Sequence, residues 1–436
     1  MSRMDPGRGS ASSLLGRIRF RLLDLGRGTH VLRKFDELLA ERTLDIEALR
    51  RIQSDKLARY TRAAIENTDF YSAYERFEDF PYLEKAVVNA NADRLMSRIR
   101  QGKIFRKKTS GSTGTPMVYF TGEESQNYLW AGILLAWNAA GYRLGDKVAI
   151  MAGSALFNSG RKQRAYYAMM NATLLSAFDL HQERLGQYAR LLAQGGHRLM
   201  YAYASAADRL AEYVIANGLE GRFRLKGIVC TAENLTEPMR ARIKKAFGCT
   251  VLSQYGCNDA GVSAYECSEG SGFHLIITRC FEELAPDGSL VATDLANQHQ
   301  FLPRLTTGDV VEMGDAPCRC GCGYPLIRRV IGRTSDILRD REGNSVHAIF
   351  IDHMLRENTQ IAAYQIVYSD TTLKLNLKLA HGDSVDATRY VAMIRDRLRF
   401  DTVQVVFNEE FVRLPNDKYR LLQRVEEIPE VADSPA

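Results

Sequence analysis

Residues 107–120 read KKTSGSTGTPMVYF. Seven of the eight residues from Thr109 to Pro116 are Thr, Ser or Gly, and Pro116 closes the run. Gly111 and Gly114 allow backbone geometries that a β-carbon forbids, so consecutive N–H groups can converge on an anion. Ser110, Ser112, Thr113 and Thr115 add hydroxyl donors, and Ser112 or Thr113 can also hold Mg2+. Met117 to Phe120 then reads as a buried strand. A loop of hydroxyls and amides leading into a strand predicts a phosphate clamp. It is not a Walker A loop, because GxxxxGK[ST] is absent. A flexible Ser/Gly linker is the alternative, and the strand residues that continue the run directly speak against it.

With 436 residues and 45% hydrophobic content, the chain can bury a sizeable core, and its length predicts two domains. No apolar run approaches the roughly 18 residues of a membrane-spanning helix. No contiguous apolar segment near the N-terminus reads as a secretory signal. The expected location is the cytoplasm, with reduced thiols. The net charge of +6 is concentrated at one end: residues 1–35 hold eight Lys/Arg against Asp5 and Asp24, which is the whole of the excess. That balance argues against nucleic acid as a partner. Residues 13–39 predict a basic amphipathic helix interrupted near Gly26 and Gly28. It reads either as a weak membrane-surface contact or, the preferred reading, as a helix packed on the main domain with a solvated charged face. All eight cysteines fall between Cys230 and Cys322. Cys267 is followed by His274 in a C-x6-H spacing, and Cys318-Arg319-Cys320-Gly321-Cys322 comes later. Two short loops carrying Cys and His predict a tetrahedral Zn2+ site with a structural role.

TSGSTGTP resembles the phosphate-binding loop of adenylate-forming enzymes. From Leu49 to Arg420 the chain resembles more narrowly the phenylacetate–CoA ligase family, which includes proteins of capsule and lipopolysaccharide biosynthesis. Phe80-Pro81-Tyr82-Leu83-Glu84-Lys85 is similar to its lPxLxK segment, and Tyr203-Ala204-Ser205 to a GYPS-like turn near the acyl pocket. Tyr255-Gly256-Cys257-Asn258-Asp259 resembles YGxTE, with Asp259 in place of Glu, about one methylene shorter as a Mg2+ ligand. Leu302 to Asp309 (LPRLTTGD) resembles PxxRYxTGD, and Ile331 to Asp336 (IGRTSD) resembles GRxDD with Ser335 in place of an Asp. Lys418-Tyr419-Arg420 is similar to GK[FY][RK], with Asp417 in place of Gly.

The resemblance implies an α/β fold: a large multi-sheet adenylate-forming domain over 49–333 and a small α+β ferredoxin-like, mobile domain over 334–436, with an N-terminal extension over 1–48. It implies ATP-dependent activation of a small carboxylic acid as acyl-adenylate, then transfer to coenzyme A. An amine, a sugar or a carrier protein is the alternative acceptor, and a nucleotide- and zinc-binding protein without catalysis is a further alternative. The implied nucleotide residues are Thr109, Ser110, Gly111, Ser112, Thr113, Gly114, Glu233, Tyr255, Gly256, Asp309 and Arg333. Tyr203 and Ser205 would line the acid pocket, Asp259 would hold Mg2+, and Lys418 would reach the α-phosphate. On the family's pattern the zinc ligands are Cys267, His274, Cys318 and Cys320, with Cys322 where Arg is usual. A homodimer is compatible with this class.

Overall fold

The chain begins with two helices, α1 (Ala11–Arg27) and α2 (Val31–Glu41), parted where Gly28 takes φ +63°. The computed structural model describes residues 11–99, 102–109, 117–152, 161–177, 180–314, 317–333, 337–342, 345–347, 360–379, 384–412 and 422–426, with single residues 351, 355, 358 and 428. Asp24 closes the break. Its carboxylate accepts from the Thr29 hydroxyl and from the Val31 and Leu32 N–H groups at 2.8–3.0 Å, which satisfies the first orphan donors of α2. α3 (Ile46–Asn67) starts on Asp45, whose side chain accepts from the Ala48 N–H, an N-cap worth about 1 kcal/mol. After α4 (Lys85–Ala90), β1 (Phe105–Lys108) pairs antiparallel with β2 (Val118–Thr121). α5 (Glu123–Ala139) is apolar nearly all round and buries Tyr128, Leu134, Leu135 and Trp137, because α2 covers one side of it and sheet strands the other.

Apolar strands then alternate with helices: β3 (Val148–Ala152), α6 (Arg161–Met169), β4 (Ala172–Ser176), α7 (Gln182–Gln194), β5 (Leu199–Tyr203), α8 (Ala204–Ala216), β6 (Gly227–Thr231), α9 (Glu237–Phe247) and β7 (Thr250–Cys257). Continuous apolar strands of this kind belong to a parallel sheet with both faces covered. β3 lies between β4 and β5, and β6 and β7 follow outward from β5, all parallel. The strand order therefore reverses between β3 and β5. Their carboxyl ends, Ala152 and Tyr203, flank the crevice that such a switch point opens.

Next in the chain come β8 (Val262–Glu266), β9 (Phe273–Leu275), β10 (Cys280–Leu284), β11 (Ser289–Asp294), β12 (Leu305–Met313) and β13 (Leu326–Arg333). β7 pairs antiparallel with β8, and the eleven-stranded sheet runs β10-β11-β12-β13-β9-β8-β7-β6-β5-β3-β4. The sequence does not announce β1, β9 or β10. These are three to five residues long, and β1 (FRKK) and β10 (CFEEL) carry charge on a short strand, so neither alternation nor an apolar run announces them.

The chain divides into two compact units, residues 1–234 with 243–330, and residues 235–242 with 331–436. In the second, β14 (Ile337–Arg339) pairs with β15 (Ser345–His347). β16 (Ile361–Tyr368), β17 (Thr372–Leu379), β18 (Thr402–Phe407) and β19 (Leu422–Arg424) form a four-stranded sheet in the order β18-β17-β16-β19. With the helix Thr388–Arg397 they enclose a separate core that includes Ile366, Leu373, Leu375, Leu377 and Ile394. The buried Gln365 side chain on β16 holds the Val412 backbone twice, donating to its carbonyl at 2.6 Å and accepting from its N–H at 2.8 Å.

Candidate active site

The centre of the site is a bulge in β12. Ser289 of β11 opposes Val310 and Val291 opposes Thr306, so Thr307, Gly308 and Asp309 stand opposite Leu290 alone. Gly308 supplies the left-handed conformation, φ +75°, that such a bulge uses. The Thr307 hydroxyl replaces the interrupted ladder: it donates to the Leu290 carbonyl at 2.7 Å and accepts from the Asp309 N–H at 3.1 Å. The bulge re-aims Asp309, whose Oδ2 accepts from the Tyr255 hydroxyl of β7 at 2.8 Å. Four strand spacings separate β12 from β7, about 19 Å in a flat sheet. The hydrogen bond therefore requires the antiparallel half of the sheet to coil back on itself. The Tyr255 ring also meets Phe273 edge-on, with centroids 6.3 Å apart.

Past Tyr255 the chain turns through Gly256 into a tight bend. Asp259 is buried there, and its Oδ1 accepts from the Cys257 thiol at 2.9 Å. Gly261 (φ +73°) is pressed so close to Asp294 that a β-carbon would sit 2.5 Å from the Asp294 β-carbon. Beneath the bend lies Arg279, 1% exposed. Its guanidinium donates to Ser263 and, at 3.2 Å, to Asn258, and it approaches Asp294 to 4.0 Å. Burial raises the Asp294 pKa while the Arg279 charge opposes the rise. No sequence motif marked Arg279 or Asp294. A lone Arg in a strand-edge turn reads as surface until the fold encloses it.

The predicted phosphate loop is bracketed by its flanks. Thr109 N–H donates to the Met117 carbonyl at 2.9 Å, and Met117 N–H donates to the Thr109 hydroxyl at 2.9 Å. Ser110, Gly111, Ser112, Thr113 and Gly114 lie outside the described residues. The surroundings of the loop base are cationic: burial and the Arg27 and Arg279 charges lower the Lys107 pKa. Tyr119, the second residue of β2, is pushed up by burial and by the neighbouring Asp259 carboxylate, so the strand leaving the loop runs beside the Asp259 bend.

At the switch point, Tyr203 pairs with Thr231 across β5 and β6. Two residues on, Glu233 Oε2 accepts from the Ser205 N–H at 2.8 Å, taking an orphan donor in the first turn of α8. Between them Ala232 holds φ +66°, a conformation that costs a non-glycine residue on the order of 1 kcal/mol and concentrates at ligand sites. The structure thus brings Tyr203, Ser205 and Glu233 together, and Tyr255 with Asp309. Arg333 is the last residue of β13 and half-buried. Ser335, Asp336, Asp417 and Lys418 lie outside the described residues.

A second cluster gathers Cys267 from the end of β8, His274 from β9, and Cys318 and Cys320 from the loop before β13. Their ligand atoms all lie within 4.8 Å of one another. Cys267 and Cys318 sulfurs are 3.6 Å apart, and Cys320 Sγ is 3.3 Å from His274 Nε2. A disulfide is excluded at 3.6 Å. The edges of a tetrahedron around Zn2+ are about 3.8 Å for two thiolates and slightly less for a thiolate and an imidazole, from bond lengths of roughly 2.3 and 2.1 Å. His274 Nδ1 lies 3.5 Å from the Tyr324 carbonyl, which turns Nε2 toward the thiols. Hydrogen bonds from the Cys267 and Cys322 thiols favour the Cys320 thiolate. Cys322 lies outside these four, and its sulfur is also 3.8 Å from the Tyr265 hydroxyl. The loop also holds the N-terminal helices: Gly323 N–H donates to Arg42, and the Tyr324 hydroxyl donates to Glu41 at 3.0 Å.

No family model matches the chain. Protein CapK of Staphylococcus aureus is 24% identical over 371 residues, covering 80% of this chain and 82% of that one. The phenylacetate-coenzyme A ligase of Pseudomonas putida is 24% identical over 358 residues, covering 74% and 79%. Among solved structures, 2-hydroxyisobutyryl-CoA ligase in the postadenylation state, in complex with an acyl-AMP, superposes with a TM-score of 0.65 at 18% identity, covering 89% of this chain and 91% of that one. The mixed α/β architecture is that of adenylate-forming ligases.

Proposed function

We propose, from its similarity to CapK and to phenylacetate-coenzyme A ligase and from its adenylate-forming ligase fold, that this chain activates a carboxylic acid with ATP and passes the acyl group to coenzyme A. A carboxylate oxygen attacks the α-phosphorus, the bond to the β-phosphate breaks, and pyrophosphate leaves. The coenzyme A sulfur then attacks the acyl carbon, AMP departs, and the thiol proton is released. The protein does little covalent work, so positioning and electrostatics supply most of the rate.

The bulge at Thr307–Asp309 carries this reading. A carboxylate offers acceptors only, and here it is re-aimed out of a ladder and oriented by a tyrosine hydroxyl, as binding of a ribose diol requires. Tyr255 and Glu233 border the adenine, Arg333 the ribose or a phosphate, and Tyr203 and Ser205 the acid at the switch point. Thr109 to Gly114 take the β- and γ-phosphates beside a cationic base. Asp259 and Thr113 would hold Mg2+, which neutralises phosphate charge. The buried Arg279 keeps the Asn258–Asp259 bend in place. Residues 334–436 act as the ferredoxin-like mobile domain that delivers Lys418, residues 49–333 as the catalytic domain and 1–48 as its extension. Cys267, His274, Cys318 and Cys320 would fill all four positions of a structural Zn2+, leaving none for water.

Pyrophosphate release measured across aryl, arylacetic, fatty and amino acids tests the activity. One acid class is expected to stimulate release, and product analysis with and without coenzyme A identifies the acceptor. No release with any acid would favour a nucleotide-binding protein without catalysis. Asp309→Ala is expected to weaken ATP binding about tenfold to a hundredfold, the loss of a charge-assisted hydrogen bond of ~1.5–3 kcal/mol. Tyr255→Phe should cost less, about 0.5–1.5 kcal/mol, by freeing Asp309 to turn. Titration calorimetry on folded variants reads both, and an unchanged affinity in Asp309→Ala removes the ribose role.

A further inference from the structure

One face of α1 is settled. Phe20 and Leu23 are buried, and Gly16 lies so close to Leu144 that a β-carbon would meet its carbonyl oxygen at 2.2 Å. Arg17 is fixed by two hydrogen bonds to Asp36, at 2.8 and 2.7 Å. The helix is therefore held against the large unit along its length. The opposite face is apolar and open: Leu14 is 65% exposed, Leu15 50%, Ile18 46%, Leu22 52% and Leu25 79%. At 3.6 residues per turn these five fall within a stripe roughly 100° wide, with Arg19 and Arg21 about 70–90° to either side. Asp24, the one acidic residue of α1, is engaged with α2. Arg3 and Arg8 precede the helix, and the chain's entire net positive charge lies within residues 1–35.

We propose that this face of α1 docks the protein on an anionic lipid surface, with the leucines and Ile18 entering the acyl boundary and the flanking arginines meeting headgroups. An apolar stripe edged by arginines matches the interfacial helix pattern. A helix of 17 residues, about 25 Å long, anchored along its inner face, lies flat on such a surface without leaving the protein body. Charge complementarity selects the occupant. In a two-fold pairing of copies through α1 the helix presents the same arginine borders on both sides and no acidic partner of its own. An anionic bilayer satisfies the stripe and its borders at once. The inference stands apart from the ligase reading and does not depend on it.

The full chain is sedimented with vesicles of phosphatidylcholine alone or with about 30% phosphatidylglycerol, at low and high salt. Binding is expected only with the anionic lipid and should fall as salt rises. Arg19→Glu/Arg21→Glu should weaken partitioning by at least about thirtyfold, from roughly fivefold for each surface arginine lost. Ile18→Asp/Leu22→Asp should weaken it on the order of a hundredfold. Unchanged thermal unfolding shows that these exposed changes spare the fold. Should the second pair melt early, Leu14→Ser/Leu25→Ser at the most exposed positions replaces it. The proposal is overturned if the native chain ignores anionic vesicles at low salt, or if the stripe variants bind as well as it does. It is also overturned if light scattering shows that the stripe variants instead dissociate a dimer.

Discussion

Lys418→Ala is expected to slow acyl-adenylate formation by about 10²–10³ while leaving ATP binding nearly intact, by analogy with the loss of one oxyanion-hole donor. The ground-state nucleotide contacts proposed above come mainly from the large domain. On that proposal Lys418, in the smaller unit, would act where charge builds on the pentacovalent phosphorus, so its loss would fall on the transition state. Both borders of residues 413–421 are tied to one strand of the small sheet, Val412 through Gln365 and Leu422 opposite Ile366. Single-turnover adenylation and ATP titration separate the two effects. The thioester half-reaction, started from a pre-formed acyl-adenylate, should survive the change. Asp417 stands where the family has Gly, and an ion pair with Lys418 would hold the native enzyme back. Asp417→Gly then accelerates it. Inactivity of both proteins with every acid would abandon the catalytic reading.

The second large effect concerns the Cys/His cluster. Protein purified without added metal should carry about one Zn2+ per chain, since such sites contribute on the order of 10 kcal/mol of apparent binding energy. Cys318→Ser should lose the metal and lower the unfolding temperature of the large unit by about 10–15 °C, given roughly 1.5 °C per kcal/mol for a unit of that size. Cys322→Ser should keep the metal, because Cys322 is not one of the four residues whose ligand atoms converge. Elemental analysis and calorimetry read these outcomes. Metal below about a tenth of an equivalent in the native chain, the level of contamination, would dismiss the centre.

Much of this site was legible in the sequence because its chemistry demands particular residues at fixed offsets. Thr307-Gly308-Asp309 shows why: the hydroxyl repairs the ladder, the glycine turns it and the carboxylate is presented, so each residue type is dictated locally. Cys267 and His274 share the β8–β9 hairpin, and Cys318 and Cys320 share one bend, so spacing marked the two loops and the family's pattern set Cys318 and Cys320 apart from Cys322. Arg279 and Asp294 were invisible, since their meeting depends on how a coiled sheet closes over the Asp259 bend. The inner face of α1 was likewise hidden. Leu23 and Phe20 turn inward while Leu14, Leu22 and Leu25 stay exposed, because a helix with apolar residues on two faces gives no local sign of which one the body claims.

The cysteine cluster also bears on the order in which the chain acquires its structure. Cys267 and Cys318 are 51 residues apart in sequence and 3.6 Å apart in space. Closing that interval costs an unfolded chain about 3–4 kcal/mol of entropy, and the β9–β13 pairing at Leu326 and His274 waits on it. A metal ion that captures the two cysteine loops early meets that cost before either strand is formed. The antiparallel half of the sheet, which the Tyr255–Asp309 contact requires to be closed, then assembles as a local event. If the cluster holds Zn2+ as proposed, zinc supply during synthesis would set the folding rate of this chain as well as its final stability.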